Sequence, residues 1–186
     1  PPRSTLFPYT TLFRSLYFVN PSVGFACGRQ GVILKTNDGG KTWKELRVDA
    51  GIELKTIRFI DTQFGWALLG KVDVPDKSRG FFVTYDGGET WTPKLLPNGR
   101  VFSSASFGSR SNGCGISNLG DVLCTANGSE WEVSKIPSEH RKSIVVDKSG
   151  VGWIVGASIS RTLNFGLSWQ YSLRDPDESN RQFAGL

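Results

Sequence analysis

The chain has 186 residues, of which 38% are hydrophobic and 21% charged, with 22 glycines, no methionine and a formal net charge of +5. No apolar run approaches the roughly 20 residues that a bilayer-spanning helix needs, and no long stretch shows helical periodicity. The lysines and arginines are scattered, where a nucleic-acid footprint needs them clustered on one face.

At the start, Leu6-Phe7-Pro8-Tyr9-Thr10-Thr11-Leu12-Phe13-Arg14-Ser15 resembles a translated sequencing adapter. The codons CTC-TTT-CCC-TAC-ACG-ACG-CTC-TTC-CGA-TCT give that peptide residue for residue. Against the alternative of a natural aromatic, threonine-rich strand, ten consecutive matches favour the adapter. Residues 1–15 are therefore set aside as a non-native segment. They carry Arg3 and Arg14 and no acid, so the net charge falls from +5 to +3. The basic balance is then too small to argue for a nucleic-acid partner.

From residue 16 onward, short runs rich in Val, Ile, Phe, Trp and Thr alternate with Gly, Asn and Asp, the pattern of short antiparallel strands. Four units follow one another at about 16–48, 52–97, 101–137 and 141–172. Each unit opens on an apolar strand, such as Thr56-Ile57-Arg58-Phe59-Ile60. A glycine-led strand follows, beginning at Gly24, Gly65, Gly113 or Gly152. A third strand (Val32-Ile33-Leu34-Lys35-Thr36, Phe81-Phe82-Val83-Thr84, Val122-Leu123-Cys124-Thr125) runs into a turn, and a fourth begins at a tryptophan. The second unit has an insertion, residues 71–79, of the kind that maps to a loop on one face. Residues 173–186 are expected to be the truncated start of a further blade or a tail.

The turn is the repeated phrase. Its copies are Thr36-Asn37-Asp38-Gly39-Gly40-Lys41-Thr42-Trp43, Thr84-Tyr85-Asp86-Gly87-Gly88-Glu89-Thr90-Trp91, Thr125-Ala126-Asn127-Gly128-Ser129-Glu130-Trp131 and Thr162-Leu163-Asn164-Phe165-Gly166-Leu167-Ser168-Trp169. The tryptophans lie 48, 40 and 38 residues apart, a period that marks a repeat architecture. Four strands per repeat of that length predict an all-β chain of β-propeller blades. The acidic or amide side chain should accept hydrogen bonds from backbone N–H groups one to three residues on. The glycines should supply positive φ. Thr favours the strand that follows, and burying Trp should contribute about 2–3 kcal/mol. Asn127 and Asn164 keep the acceptor oxygen without the charge. That substitution suits a local hydrogen bond and does not suit a general acid or metal ligand.

The phrase resembles the Asp-box, or bacterial neuraminidase repeat. The longer stretch from Gly24-Phe25-Ala26-Cys27-Gly28 to Thr42-Trp43 is similar to repeats of the photosystem II stability/assembly factor family and its bacterial relatives. The resemblance covers residues 16 to about 172 and is strongest in the first two units. It implies an incomplete arc of a larger propeller, since relatives have more than four blades. It also implies a non-catalytic scaffold that binds a protein partner, in photosynthetic members a membrane-protein precursor, and an exported location. Asp-boxes also occur in sialidases and xyloglucanases, so a carbohydrate-active hydrolase acting on glycan, with part of its site in missing blades, is the alternative. The third unit is one residue short between Asn127 and Trp131, and the fourth has Phe165 where Gly is usual.

Chemistry is hard to find in this sequence. Asp61, Asp121 and Asp147 fall at turn positions, and a glycosidase needs two carboxylates about 5–10 Å apart. No Arg-Ile-Pro segment, serine elbow, zinc spacing or phosphate-binding loop is present, so no catalytic residue, metal or cofactor is assigned. His140, the single histidine, reads as a surface loop residue. Asn37-Asp38-Gly39-Gly40 lacks the further ligands of a calcium loop. Cys27 and Cys114 occupy core positions. Cys114 and Cys124 flank a hairpin at Asn118-Leu119-Gly120-Asp121, which leaves both free thiols and a cross-strand disulfide open. The structural Asp-box residues are thus Asp38, Gly39, Gly40, Trp43, Asp86, Gly87, Gly88, Trp91, Asn127, Gly128, Trp131, Asn164, Gly166 and Trp169. Lys55, Arg58, Arg100, Arg141 and Lys142 lie at entries to first strands and are the candidate partner-binding cations.

Overall fold

In the computed structural model, residues 12–48, 51–70, 80–134, 136 and 140–174 are described. The 71–79 insertion and residues 175–186 lie outside them. The described residues form sixteen strands in four separate four-stranded antiparallel sheets, each following chain order. Blade one contains β1 (Phe13–Phe18), β2 (Gly24–Gly28), β3 (Val32–Thr36) and β4 (Lys44–Arg47). Blade two contains β5 (Leu54–Phe59), β6 (Gly65–Leu69), β7 (Phe81–Thr84) and β8 (Thr92–Lys94). Blade three contains β9 (Phe102–Phe107), β10 (Gly113–Ser117), β11 (Val122–Thr125) and β12 (Glu132–Ser134). Blade four contains β13 (Ser143–Val146), β14 (Gly152–Val155), β15 (Ser158–Thr162) and β16 (Gln170–Arg174).

The fourth strand of each blade starts one residue after its tryptophan. β16 reaches Arg174, two residues past the expected end of the last blade. β1 begins inside the adapter-like stretch, with Phe13 opposite Gly28 and Ser15 opposite Cys27. This pairing places those residues and does not bear on their origin.

The chain divides into two compact units, residues 1–101 and 102–186. In the first unit the core between blades one and two is made by Phe25, Cys27, Ile33, Ile57, Phe59, Ala67 and Phe82. The Tyr17 hydroxyl donates to the Phe59 carbonyl at 2.9 Å, and the Ile57 amide donates to Ser15 Oγ at 3.3 Å. In the second unit Cys114, Ile116, Val122 and Cys124 pack against Ile144, Val146 and Ile154. There the Val146 amide donates to Ser106 Oγ at 3.0 Å and the Ile144 amide to Ser104 Oγ at 3.4 Å. No backbone ladder joins β1 to β5 or β9 to β13 among the described residues, and serine hydroxyls take the amides that face across.

The glycine that opens each second strand has a steric cause. Gly65 pairs with Phe59 across the sheet, and the Phe59 ring lies where a side chain on Gly65 would stand, with a Cβ only 2.6 Å from the ring. Gly24 under Phe18 and Gly113 under Phe107 repeat the arrangement. Phe59 in turn stacks on Phe25 at 4.0 Å between centroids and meets Trp91 edge-on at 6.0 Å. The ring therefore has no room to give way. Gly65→Ala should cost about 1–3 kcal/mol through overpacking, read as a lower urea midpoint with the slope unchanged.

Candidate functional site

The Asp-box turns are polar constellations closed by hydrogen bonds, and the first threonine of each organises them. Thr36 ends β3 with its side chain buried. Its hydroxyl donates to Asp38 Oδ1 at 2.8 Å and accepts from the amides of Asp38 at 3.3 Å and Gly40 at 2.9 Å. Asp38 Oδ1 then accepts from the Thr42 amide at 2.9 Å, and Oδ2 from the Thr42 hydroxyl at 2.6 Å. Trp43 Nε1 closes the turn on the Gly40 carbonyl at 3.1 Å. Blade two repeats this with Thr84, Asp86, Gly88, Thr90 and Trp91.

Three expectations change. The carboxylate reaches the amide four residues on, because two successive glycines at positive φ, Gly39 and Gly40 or Gly87 and Gly88, curl the chain back over it. The shorter third copy has only Gly128 at positive φ, and there Asn127 Oδ1 accepts from the amides two and three residues on, Ser129 at 2.9 Å and Glu130 at 2.8 Å. Trp131 is buried, but Trp43, Trp91 and Trp169 are half-buried, so their burial contributes less than a fully buried ring would. In the fourth copy Phe165 takes positive φ itself, at 56°. Asn164 there reverses one bond, its amide nitrogen donating to Ser168 Oγ at 2.9 Å while Oδ1 still accepts from the Ser168 amide at 3.0 Å.

The turn threonines were not singled out from the sequence, although all four copies begin with one. They read as ordinary strand residues, and only their depth in the fold shows the role.

Electrostatics follow from these bonds. The Thr42 hydroxyl, then its amide, hold the Asp38 carboxyl down at about 2, and Thr90 does the same for Asp86, also at about 2. The Ser149 hydroxyl holds Asp147 below its ordinary value, and the Asp147 carboxylate caps the β13–β14 turn through the amides of Ser149 and Val151. Asp61 caps the equivalent turn of blade two through the amides of Gln63 at 2.7 Å and Phe64 at 2.6 Å. These carboxylates are thus engaged in turns, as their positions suggested. Glu89 bridges Lys35 at 2.7 Å and Lys44 at 2.8 Å, and Lys35, then Lys44, hold it below its ordinary value.

The five candidate cations take different places. In the first unit Lys55 and Arg58 are exposed on β5. Arg58 lies over the Tyr17 ring at 5.4 Å and donates to the Ile57 carbonyl at 2.9 Å. Arg100 donates to the Pro97 carbonyl at 3.2 Å. In the second unit Lys142 is exposed. The Arg141 guanidinium reaches the Gly120 carbonyl at 2.5 Å and the Ile136 carbonyl at 2.6 Å, tying β13 to the β10–β11 hairpin. His140 is exposed and takes positive φ.

Among the cysteines, Cys114 and Cys124 stand opposite each other on β10 and β11 and are joined as a disulfide beneath Gly166. Burial pushes the Cys27 thiol up to about 12. A cleft of about 470 Å³ in the second unit lies between β12 and the fourth Asp-box, with Glu132, Phe165 and Trp169 in its wall. Among the described residues no group of three or more His, Cys, Asp or Glu side chains is placed to hold a metal. No described helix is long and apolar enough to cross a membrane.

Four-stranded sheets in chain order, each closed by this turn, are the blades of an Asp-box β-propeller. The BNR/Asp-box repeat matches residues 82–93, the second copy of the phrase. In sequence the chain resembles the photosystem II assembly factors. It is 24% identical over 146 residues to the photosystem II assembly lipoprotein Ycf48 of Synechococcus sp. (strain CC9902), across 77% of this chain and 42% of that protein. It is 27% identical over 158 residues to the chloroplastic photosystem II stability/assembly factor HCF136 of Arabidopsis thaliana, across 80% of this chain and 33% of that protein. The chain thus spans less than half the length of either relative.

Solved propellers share the fold. The structure of YCF48 bound to D1 peptide superposes with a TM-score of 0.61 at 17% identity, over 90% of this chain and 56% of that one. An ancestral GH74 enzyme gives 0.65 at 15% identity, over 90% and 24%.

Two predictions test the turns and the thiols. Asp38 and Asp86 titrate near 2 when folded and near 3.8 otherwise, so their ionised forms favour the fold above about pH 4, and that stabilisation is lost as pH falls toward about 2. Asp86→Asn should lower the melting temperature at pH 7, and the gap to the parent should close between about pH 4 and pH 2 in a thermal series. A gap independent of pH would show that charge plays no part. Under non-reducing conditions Cys27 should resist iodoacetamide until the chain is unfolded, and peptide mapping should recover Cys114 linked to Cys124.

Proposed function

We propose that this chain is part of a non-catalytic, protein-binding propeller of the photosystem II assembly-factor type, whose partner is a segment of a membrane-protein precursor. The observation that supports it most is the sequence likeness to Ycf48 and HCF136 over more than three quarters of the chain. The acids Asp38, Asp61, Asp86 and Asp147 have their carboxylates engaged with turn donors. This accords with a scaffold better than with a carboxylate pair. The hydrolase alternative rests on likeness in fold to a GH74 enzyme, and Asp-box blades serve many activities on one architecture.

For contact surfaces we propose the first-strand cations of each unit by itself. Lys55 and Arg58 on β5 and Lys142 before β13 are exposed, so each can meet an acidic segment. Arg100 donates to the Pro97 carbonyl at 3.2 Å. Arg141 is held on two carbonyls, and its contribution is to position the loop that carries Lys142.

A fluorescent peptide from the D1 protein, the class of ligand bound in the YCF48 complex, provides the test. Anisotropy should show binding that weakens with salt. Lys55→Glu with Arg58→Glu should weaken it by about tenfold or more, whereas Arg174→Glu should leave it unchanged. Binding indifferent to the charge reversals would remove the cationic surface from the proposal. Release of reducing ends from xyloglucan by this protein would replace the scaffold with the hydrolase.

A further inference from the structure

Each unit holds a gap where one blade meets the Asp-box turn of the next, and the two gaps are filled differently. In the first unit Gly88 of the second turn stands over the Phe25 ring. Phe25 pairs across the sheet with Lys35, and Lys35 with Lys44. The Lys35 side chain, only 12% exposed, passes the Phe25 ring with its Nζ 5.9 Å from the centroid and meets Glu89 of the turn at 2.7 Å. Lys44 meets the other Glu89 oxygen at 2.8 Å. A ring, a lysine stem and an ion pair thus occupy the gap.

In the second unit the equivalent glycine is Gly166, which stands over Cys114 and Cys124. Cys114 pairs with Cys124, and Cys124 with Glu132, so these three hold the places of Phe25, Lys35 and Lys44. Leu167, the residue after the glycine, holds the place of Glu89. A disulfide has replaced the ring and the lysine stem, and the space beside it is the cleft of about 470 Å³. Blades three and four form both walls, so the cleft is a gap between neighbours and not an outward blade face. The Ser134 hydroxyl ties the walls together, donating to the Gly166 carbonyl at 2.8 Å.

The cleft has the lining of a cation site. Val133, Phe165, Leu167 and Trp169 give it apolar surface and Glu130 and Glu132 give it carboxylates, while no Lys, Arg or His is among its described lining residues. An ammonium group is attracted to a carboxylate and to the face of an aromatic ring, and a lysine stem covers apolar surface while its head stays polar. We propose that the cleft binds a lysine side chain of a partner polypeptide, with the ammonium on Glu132 and the stem against Phe165, Leu167 and Trp169. The guest takes the part that Lys35 and Lys44 play in the first unit. The site is independent of the exposed cations proposed above and selects the opposite charge.

The probe is the blocked peptide acetyl-Gly-Ala-Lys-Ala-Gly-amide, titrated to about 10 mM, which covers weak sites, into the nitrogen-15-labelled chain. The Trp169 indole N–H and the Leu167 amide should shift and approach saturation. The same peptide with norleucine in place of lysine should bind at least about threefold more weakly, the scale of one exposed ion pair. Glu132→Gln should weaken binding of the lysine peptide by a similar factor. Leu167→Glu, which restores the carboxylate that Glu89 supplies in the first unit, should strengthen it. Both substitutions are at exposed positions, and an otherwise unchanged spectrum establishes that each variant is folded. A lysine peptide that shifts nothing in the cleft overturns the proposal. Equal binding of the norleucine peptide, the mark of a plain apolar groove, does so too. So does a folded Glu132→Gln variant that binds like the parent, or a folded Leu167→Glu variant that binds no more tightly.

Discussion

The blades depend on a glycine that leaves room for a ring. At Gly24, Gly65 and Gly113 the cross-strand partner is a phenylalanine whose ring fills the volume of the missing side chain. The covering ring shields the glycine backbone and provides an edge for the Asp-box tryptophan. Phe18 meets Trp43, Phe59 meets Trp91 and Phe107 meets Trp131, all near-perpendicular, at 5.9 to 6.2 Å, a favoured aromatic arrangement. The same glycine faces the turn threonine on its other side, Gly24 pairing with Thr36 and Gly65 with Thr84. One end of the blade thus concentrates ring, glycine, threonine and tryptophan. The turn is held by packing from below and by hydrogen bonds from within.

Blade four shows what happens when one member changes. Its first strand ends in Val146, too small to cover Gly152 as a ring would, and its turn carries Phe165 in place of the first glycine. The Phe165 ring lies over Gly150, in the loop between β13 and β14, and its amide donates to the Gly150 carbonyl at 2.9 Å. An aromatic lost from the strand is replaced by one supplied from the turn. That turn then holds a side chain at positive φ, a cost of about 1–2 kcal/mol, against which stands the burial that the ring gains. The following Gly166 stays glycine for a different reason, since a side chain there would overlap the Cys114 and Cys124 sulfurs.

Much of this was legible in the sequence, because a repeat prints the same local problem four times. The Asp-box positions, the four strands per blade and the turn role of Asp61 and Asp147 came from spacing and residue type. What escaped was set by depth and by neighbours in space. Thr36 and its equivalents look like any strand threonine until the strand end is buried. Ser104 and Ser106 look like surface serines until β13 lies beside them. Arg141 looks like a free cation until the β10–β11 hairpin offers its carbonyls. The cysteine pair could be aligned on a hairpin from sequence, but whether it closes depends on register, which places Cys114 directly opposite Cys124.

The same logic separates what the repeated phrase does from what the protein does. A residue that recurs in every blade answers a need that every blade has, and here that need is closing a turn over a glycine and a ring. Recognition of a partner calls for residues that differ from blade to blade. The first-strand position one before the covering residue shows that difference: Tyr17, Arg58, Ser106 and Val145 occupy it in blades one to four. Tyr17 is a hydrogen-bond donor to the next blade, Arg58 a cation standing on that tyrosine, Ser106 a bridge between first strands and Val145 an exposed apolar side chain. A shared scaffold thus places four different chemistries at one structural position, two of them engaged in tying one blade to the next.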